Sequence, residues 1–151
     1  MRRTASAIAI AVFFAAGPVH AFEAAGADII GLRLGMSESD VAAELTNQGY
    51  AMSRVHGVIS SETKDGRLRV VVSADRGVTE IIYVFYGRGV GGPARVREAI
   101  STRFGDPNQA TPPTWCRAAG RDGVCPADQA TLTFLPDSLT MRLRAGHVSG
   151  R

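Results

Sequence analysis

The chain has 151 residues, 45% of them hydrophobic, with 17 basic and 14 acidic side chains. That length supports one domain around one core. Setting aside Arg2 and Arg3 leaves 15 basic against 14 acidic residues, so the charge balance makes no case for nucleic-acid binding.

The first residues address the chain rather than fold it. Arg2 and Arg3 form a basic start, Ala5 to Ala16 an apolar run, and Val19-His20-Ala21 a cleavage signal. This is the pattern of a secretory signal peptide, too short and wrongly flanked for a stable transmembrane span. Cleavage is expected after Ala21, making residues 1–21 the signal peptide and 22–151 a single periplasmic or secreted domain with no integral membrane segment. No cysteine follows the apolar run closely, so a lipid anchor is not expected.

The first helix is announced by its ends. Ser37 stands at an N-cap position with Asp40 three residues later, an acidic variant of the capping box. Met36 and Val41 have the spacing of a hydrophobic staple, and Val41, Ala42 and Leu45 form an apolar stripe. Gly49 and Tyr50 then supply the left-handed exit and fold-back of a Schellman ending.

Residues 50–61 are β-leaning but alternate poorly. Lys64-Asp65-Gly66 reads as a tight hairpin turn, with Asp-Gly supplying positive φ. Leu68, Val70, Val72 and Ala74 alternate with Arg67, Arg69, Val71 and Ser73, which predicts a strand with one inward face. After a turn at Asp75-Arg76-Gly77 comes TEIIYVFY, the most apolar segment beyond the leader. Ile81, Tyr83 and Phe85 share one face and Ile82, Val84 and Tyr86 the other, so this strand is expected to be central.

A second helix is expected from Pro93 at its first turn, with Val96, Ala99, Ile100 and Phe104 inward and Arg95, Arg97 and Arg103 outward. Gly105 and Pro107 end it. Pro112-Pro113 breaks the chain before Trp115. The last hairpin turns at Pro136-Asp137, with Leu139, Met141 and Leu143 inward, and residues 147–151 form a tail. Helix, three or four strands, helix, two or three strands: this order predicts an α+β fold, an antiparallel β-sheet with two helices packed on one face.

Cys116 and Cys125 are the two cysteines, and an exported chain meets oxidising conditions, so they are expected to pair. Closing a loop of about ten residues stabilises by roughly 2.5–3 kcal/mol in the chain-entropy account. Their spacing fits neither a C-x-x-C redox motif nor a zinc half-site.

Chemistry-bearing motifs are scarce. Gly87 to Gly92 matches G-x-G-x-x-G between a strand and a helix, but antiparallel hairpins precede it where a dinucleotide site needs a βαβ unit. A flexible connection is the preferred reading; an anion held by Arg88, Arg95 and the helix start is the alternative. Beyond the leader the histidines are His56 and His147. No G-x-S-x-G, H-E-x-x-H or metal-ligand cluster occurs, and Glu62, Asp65 and Asp75 sit where turns are expected. No catalytic residue, cofactor or metal is therefore assigned. Arg67 with Arg69, and Arg142 with Arg144, lie at i, i+2 spacing, so each pair shares a face and neighbouring strands would make a basic patch. Edge arginines that discourage aggregation are the plainer reading.

The sequence LRLGMSESDVAAELTNQGY, the strands after it, PARVREAISTRFGDP and a Trp-Cys loop together resemble small periplasmic modules. These are the SmpA/OmlA-type outer-membrane-assembly lipoproteins and the β-lactamase-inhibitor-protein-like fold. Gly35, Met36, Ser37 and Val41, then Phe104, Gly105 and Pro107, carry the likeness; a lipobox cysteine is missing. The resemblance implies a protein-binding or envelope-scaffolding role without catalysis, with a protein or envelope component as partner. Ile82, Val84 and Tyr86, with Arg67 and Arg69, are the expected contact residues, although the sequence leaves the outward parity open. A small envelope hydrolase or transferase built around His56 is the alternative from another class.

Overall fold

The computed structural model describes residues 22–87 and 91–147. The expected leader, with its cleavage point, and the Arg88 of the glycine-rich stretch lie outside the described residues, as does most of the expected tail.

Local chemistry sets the two helices. Helix α1 spans Glu38–Asn47, and the Ser37 hydroxyl accepts a hydrogen bond from the Asp40 amide at 3.1 Å while donating to the Asp40 carboxylate at 2.7 Å. The N-cap bond is thus in place, while the Asp40 carboxylate takes the Ser37 hydroxyl instead of the backbone N–H that a full capping box engages. At the other end, Tyr50 N–H donates to Leu45 O and Gly49 N–H to Thr46 O, both at 2.9 Å, with Gly49 at φ 77°. These two bonds define a Schellman motif. Helix α2, Pro93–Phe104, begins at its proline and stops at Gly105, where φ is 76°.

Among the described residues seven strands form one antiparallel sheet: β1 (Met52–Val55), β2 (Val58–Glu62), β3 (Gly66–Ser73), β4 (Gly77–Phe85), β5 (Thr114–Trp115), β6 (Thr131–Leu135) and β7 (Thr140–Arg144). Their spatial order is β1-β2-β3-β4-β7-β6-β5, which puts β4 at the centre. The α+β expectation is corrected by this count, because the domain is mostly β with two short helices. Residues 50–61, read as one weak stretch, are two strands folded at His56-Gly57. Both turn residues have positive φ (48° and 75°), as a two-residue hairpin of the I′ type requires. The approach to the disulfide adds β5, which pairs with β6 through Thr114 and Trp115. Helices of ten and twelve residues cannot balance a sheet of that breadth.

One side of the sheet is packed. Ile59, Leu68, Val70, Val78, Ile81, Tyr83, Phe85, Leu132, Phe134, Met141 and Leu143 are buried in one cluster with Val41 and Leu45 of α1 and Val96 and Ile100 of α2. Phe22, Ile29 and Leu32 close it from the N-terminal side. Trp115 is fully buried and donates from Nε1 to Gly105 O at 2.9 Å, tying β5 to the end of α2. The Cys116–Cys125 disulfide is formed, with Cα atoms 5.9 Å apart.

Four local expectations change. The inward alternation of β3 holds through Val70, but a bulge between Val71 and Val72 breaks it, leaving Val72 half-buried and Ala74 exposed beyond the strand. Gly66 does not adopt positive φ; its Cβ would collide with Val84 O and come within 2.7 Å of the Tyr83 ring, so close approach demands the glycine. Arg103 turns back from its outward position to Gly26 O at 2.9 Å and Asp28 Oδ1 at 3.1 Å, half-buried in a pair with a residue far away in sequence. Leu139 precedes β7 in the left-handed region (φ 47°) instead of joining the strand.

Candidate functional site

The same alternation that buries Ile81, Tyr83 and Phe85 sends Ile82 and Val84 to the opposite face of β4. There they are half-buried among their strand neighbours, and Tyr86, just past the strand, is 42% exposed. Register arranges the outer face in rows. Ser60, Arg69, Ile82, Arg142 and Thr133 lie side by side across five strands. Glu62, Arg67, Val84, Thr140 and Leu135 form the row on one side of it, and Val58, Val71, Glu80, Arg144 and Thr131 the row on the other.

All five residues expected at a contact surface, Ile82, Val84, Tyr86, Arg67 and Arg69, therefore share this face. Arg142 and Arg144 share it too. The two arginine pairs are not on neighbouring strands, because β4 runs between β3 and β7. Two strand spacings separate them, about 10 Å, and Ile82 lies between Arg69 and Arg142. The result is an apolar floor between two cationic walls.

Glu62 was expected at a solvated turn, yet it ends β2 and organises one corner of the face. Its Oε1 accepts from Arg67 Nε at 2.7 Å, and its other oxygen accepts from the Tyr86 hydroxyl. The Tyr86 bond, with Arg67 behind it, holds the Glu62 carboxyl below its usual range, and the same bond pushes the Tyr86 phenol up. Tyr86 N–H also donates to Asp65 O at 2.8 Å, so backbone and side chain are both fixed. Across the sheet Arg142 Nε lies 3.3 Å from Glu80 Oε1. Among the described residues, no carboxylate lies within 4.0 Å of Arg69 or Arg144. Sequence patterning exposed the arginine spacing, but nothing local could show that Glu62, two positions before the turn, meets Tyr86 just past β4.

Shallow depressions flank the floor. One, of about 280 Å³, is lined by Arg76, Thr79, Glu80, Arg144 and His147 among others; another, of about 430 Å³, runs along Met52, Ser53, Ser60, Glu62 and Arg67. His56 is exposed in the β1–β2 turn, away from the strand position expected for it. Arg95 is exposed on α2 and folds against Gly91, where an added Cβ would meet its Cδ at 2.8 Å. Among the described residues no group of three His, Cys, Asp or Glu side chains is placed to hold a metal ion, and no helix is long and apolar enough to cross a membrane. In comparisons with protein-family models, curated proteins and solved structures, the chain has no match.

Proposed function

We propose that this chain is a non-enzymatic binding module of the periplasm, and that it engages another protein or an envelope component through the outer face of its sheet. One observation carries the reading. The central strand has apolar side chains on both faces, and the buried residues of both helices join the core on one of them. Ile82 and Val84 are left half-exposed on the other, beside Tyr86. A sheet face that only needed solvation would carry polar residues at the centre of its central strand. The leader pattern and the likeness to SmpA/OmlA-type modules support the compartment and the class.

The test is crosslinking and affinity capture of the tagged, processed protein from its native cell envelope, with photoreactive residues introduced at Ile82 and at an exposed α2 position such as Arg97. A specific protein captured from Ile82 and not from Arg97, and lost in Tyr86→Ala, is the expected outcome. Equal capture from both positions, or from neither, removes the reading.

A further inference from the structure

We infer that the partner is acidic, and that the face receives a protein segment whose apolar side chain is flanked by carboxylates. This inference rests on the binding reading above and narrows it to a partner class.

The outward positions of the face hold four arginines and two glutamates. Glu62 is engaged by Arg67 and Tyr86, and Glu80 by Arg142. Arg69 and Arg144 are left over. Arg69 has Ser60 and Ile82 for its cross-strand neighbours, neither of which can neutralise it. Arg144 stands opposite Glu80 in register, but that carboxylate is already paired with Arg142. Covering the floor with a neutral or basic surface would strip water from two guanidinium groups and give nothing back. An acidic surface supplies the missing acceptors in the bidentate geometry that guanidinium favours.

Arg69 and Arg142 flank Ile82 at one strand spacing on either side, about 5 Å each way. A partner side chain that lands on Ile82 therefore brings its flanking groups within arginine reach. The apolar residues form a half-buried floor below exposed arginines, so the partner must descend to them. That arrangement suits the side chains of a protein better than a lipid surface, which needs protruding apolar groups to enter it. Among the described residues Val55, at the β1 edge, is the strongly exposed aliphatic residue on this face, and one valine is a poor bilayer anchor.

The experiment is a fluorescence-anisotropy titration with two labelled synthetic peptides. One consists of Glu-Ser-Leu-Ser repeats, whose even period places every carboxylate and leucine on one face of an extended strand, and the other replaces every Glu by Lys. The expected result is saturable binding of the acidic peptide alone, weakened at least about tenfold by Arg69→Glu with Arg144→Glu, and likewise by Ile82→Asp. Arg117→Glu with Arg121→Glu, an equal charge change in the exposed disulfide loop, should leave affinity within about twofold. Thermal melting confirms that each variant is folded, and Ile82→Ser replaces Ile82→Asp if the latter is not.

No binding of the acidic peptide, equal binding of the basic one, or equal loss in the loop variant each overturns the inference. Binding to phosphatidylglycerol vesicles without peptide binding overturns it in favour of a lipid surface. If the peptide fails while the Ile82 crosslink to an envelope protein persists, the acidic partner falls and the binding module stands. If both fail, both fall.

Discussion

The two faces of the sheet are made from the same strands by one-residue alternation, and they solve different problems. On the inner face, side chains such as Leu68, Val70, Ile81 and Leu143 are excluded from water and fix the fold. On the outer face, Ile82 and Val84 occupy the equivalent centre with the same residue types and remain half-open beneath arginines. Hydrophobicity alone does not separate them, since Ile81 and Ile82 are adjacent and chemically identical. The difference lies in what the rest of the chain places above them: α1, α2 and the N-terminal segment on one side, and charge on the other. Identical side chains should therefore carry unequal energies.

The largest effect tests that inequality directly. Ile81→Ala should cost about 2–5 kcal/mol, the range for a buried aliphatic truncation, whereas Ile82→Ala should cost under about 1 kcal/mol. Urea unfolding of the two variants reads both numbers. Similar losses would mean that the outer position is packed in solution and would break the comparison.

Next comes the staple at the end of the inner face. Strand β5 has two residues, and Trp115 places its whole side chain in the core from that short purchase. Replacing Cys116 and Cys125 together by alanine should cost roughly 2.5–3 kcal/mol, seen as a lower denaturation midpoint. Near-UV circular dichroism should show the Trp115 environment loosening first. No loss would show that core packing alone holds β5.

The smallest effect at neutral pH contrasts two phenols. Burial pushes the Tyr83 hydroxyl up to about 12 from an ordinary value of 10, and its oxygen lies 2.6 Å from Thr63 Oγ1. The sign follows from linkage: the unfolded chain ionises first, so stability is complete below pH 10 and is lost as pH rises through 12. The loss approaches roughly 3 kcal/mol above both values. Tyr86, on the outer face, keeps its phenol up by hydrogen bonding to Glu62 in open solvent, so Tyr86→Phe should leave the alkaline melting curve nearly unchanged. Tyr83→Phe should flatten it between pH 10 and 12. A flattened curve in Tyr86→Phe instead would reverse the assignment of the faces.

How much of this was legible depends on how far each determinant reaches. The caps of α1 and the proline and glycine limits of α2 are local, and they read correctly from a few residues. The alternation in β3 identified one inward face, whereas β4 showed two apolar faces, and choosing its inward one requires knowing where α1 and α2 land. His56-Gly57 carried the signal that divides β1 from β2, and it passed unread because His-Gly lies outside the Asn-Gly, Asp-Gly and Gly-Gly pairs that usually mark a I′ turn. Strand β5 has no strand signature in two residues; β6 defines it. Arg103 read as outward because Asp28, its partner, is remote in sequence. The contact residues were found as a set because parity groups Ile82 with Val84 and Tyr86, whereas Glu62 enters only through register between β2, β3 and the end of β4.

The strand order has a consequence for how the sheet assembles. Every other pairing joins segments near in sequence, as in the β1-to-β4 meander and the β6–β7 hairpin. The β4–β7 seam instead brings Ile82 beside Arg142, closing a loop that contains α2, the disulfide and β5. Loop-closure entropy makes that seam roughly 1.5 kcal/mol more costly to close than a ten-residue hairpin. Native contacts across it bring Arg69 and Arg142 to either side of Ile82, so the outer face exists only once the two halves have zipped. The meander by itself would present one arginine wall and no cleft, and recognition is thereby tied to completion of the fold.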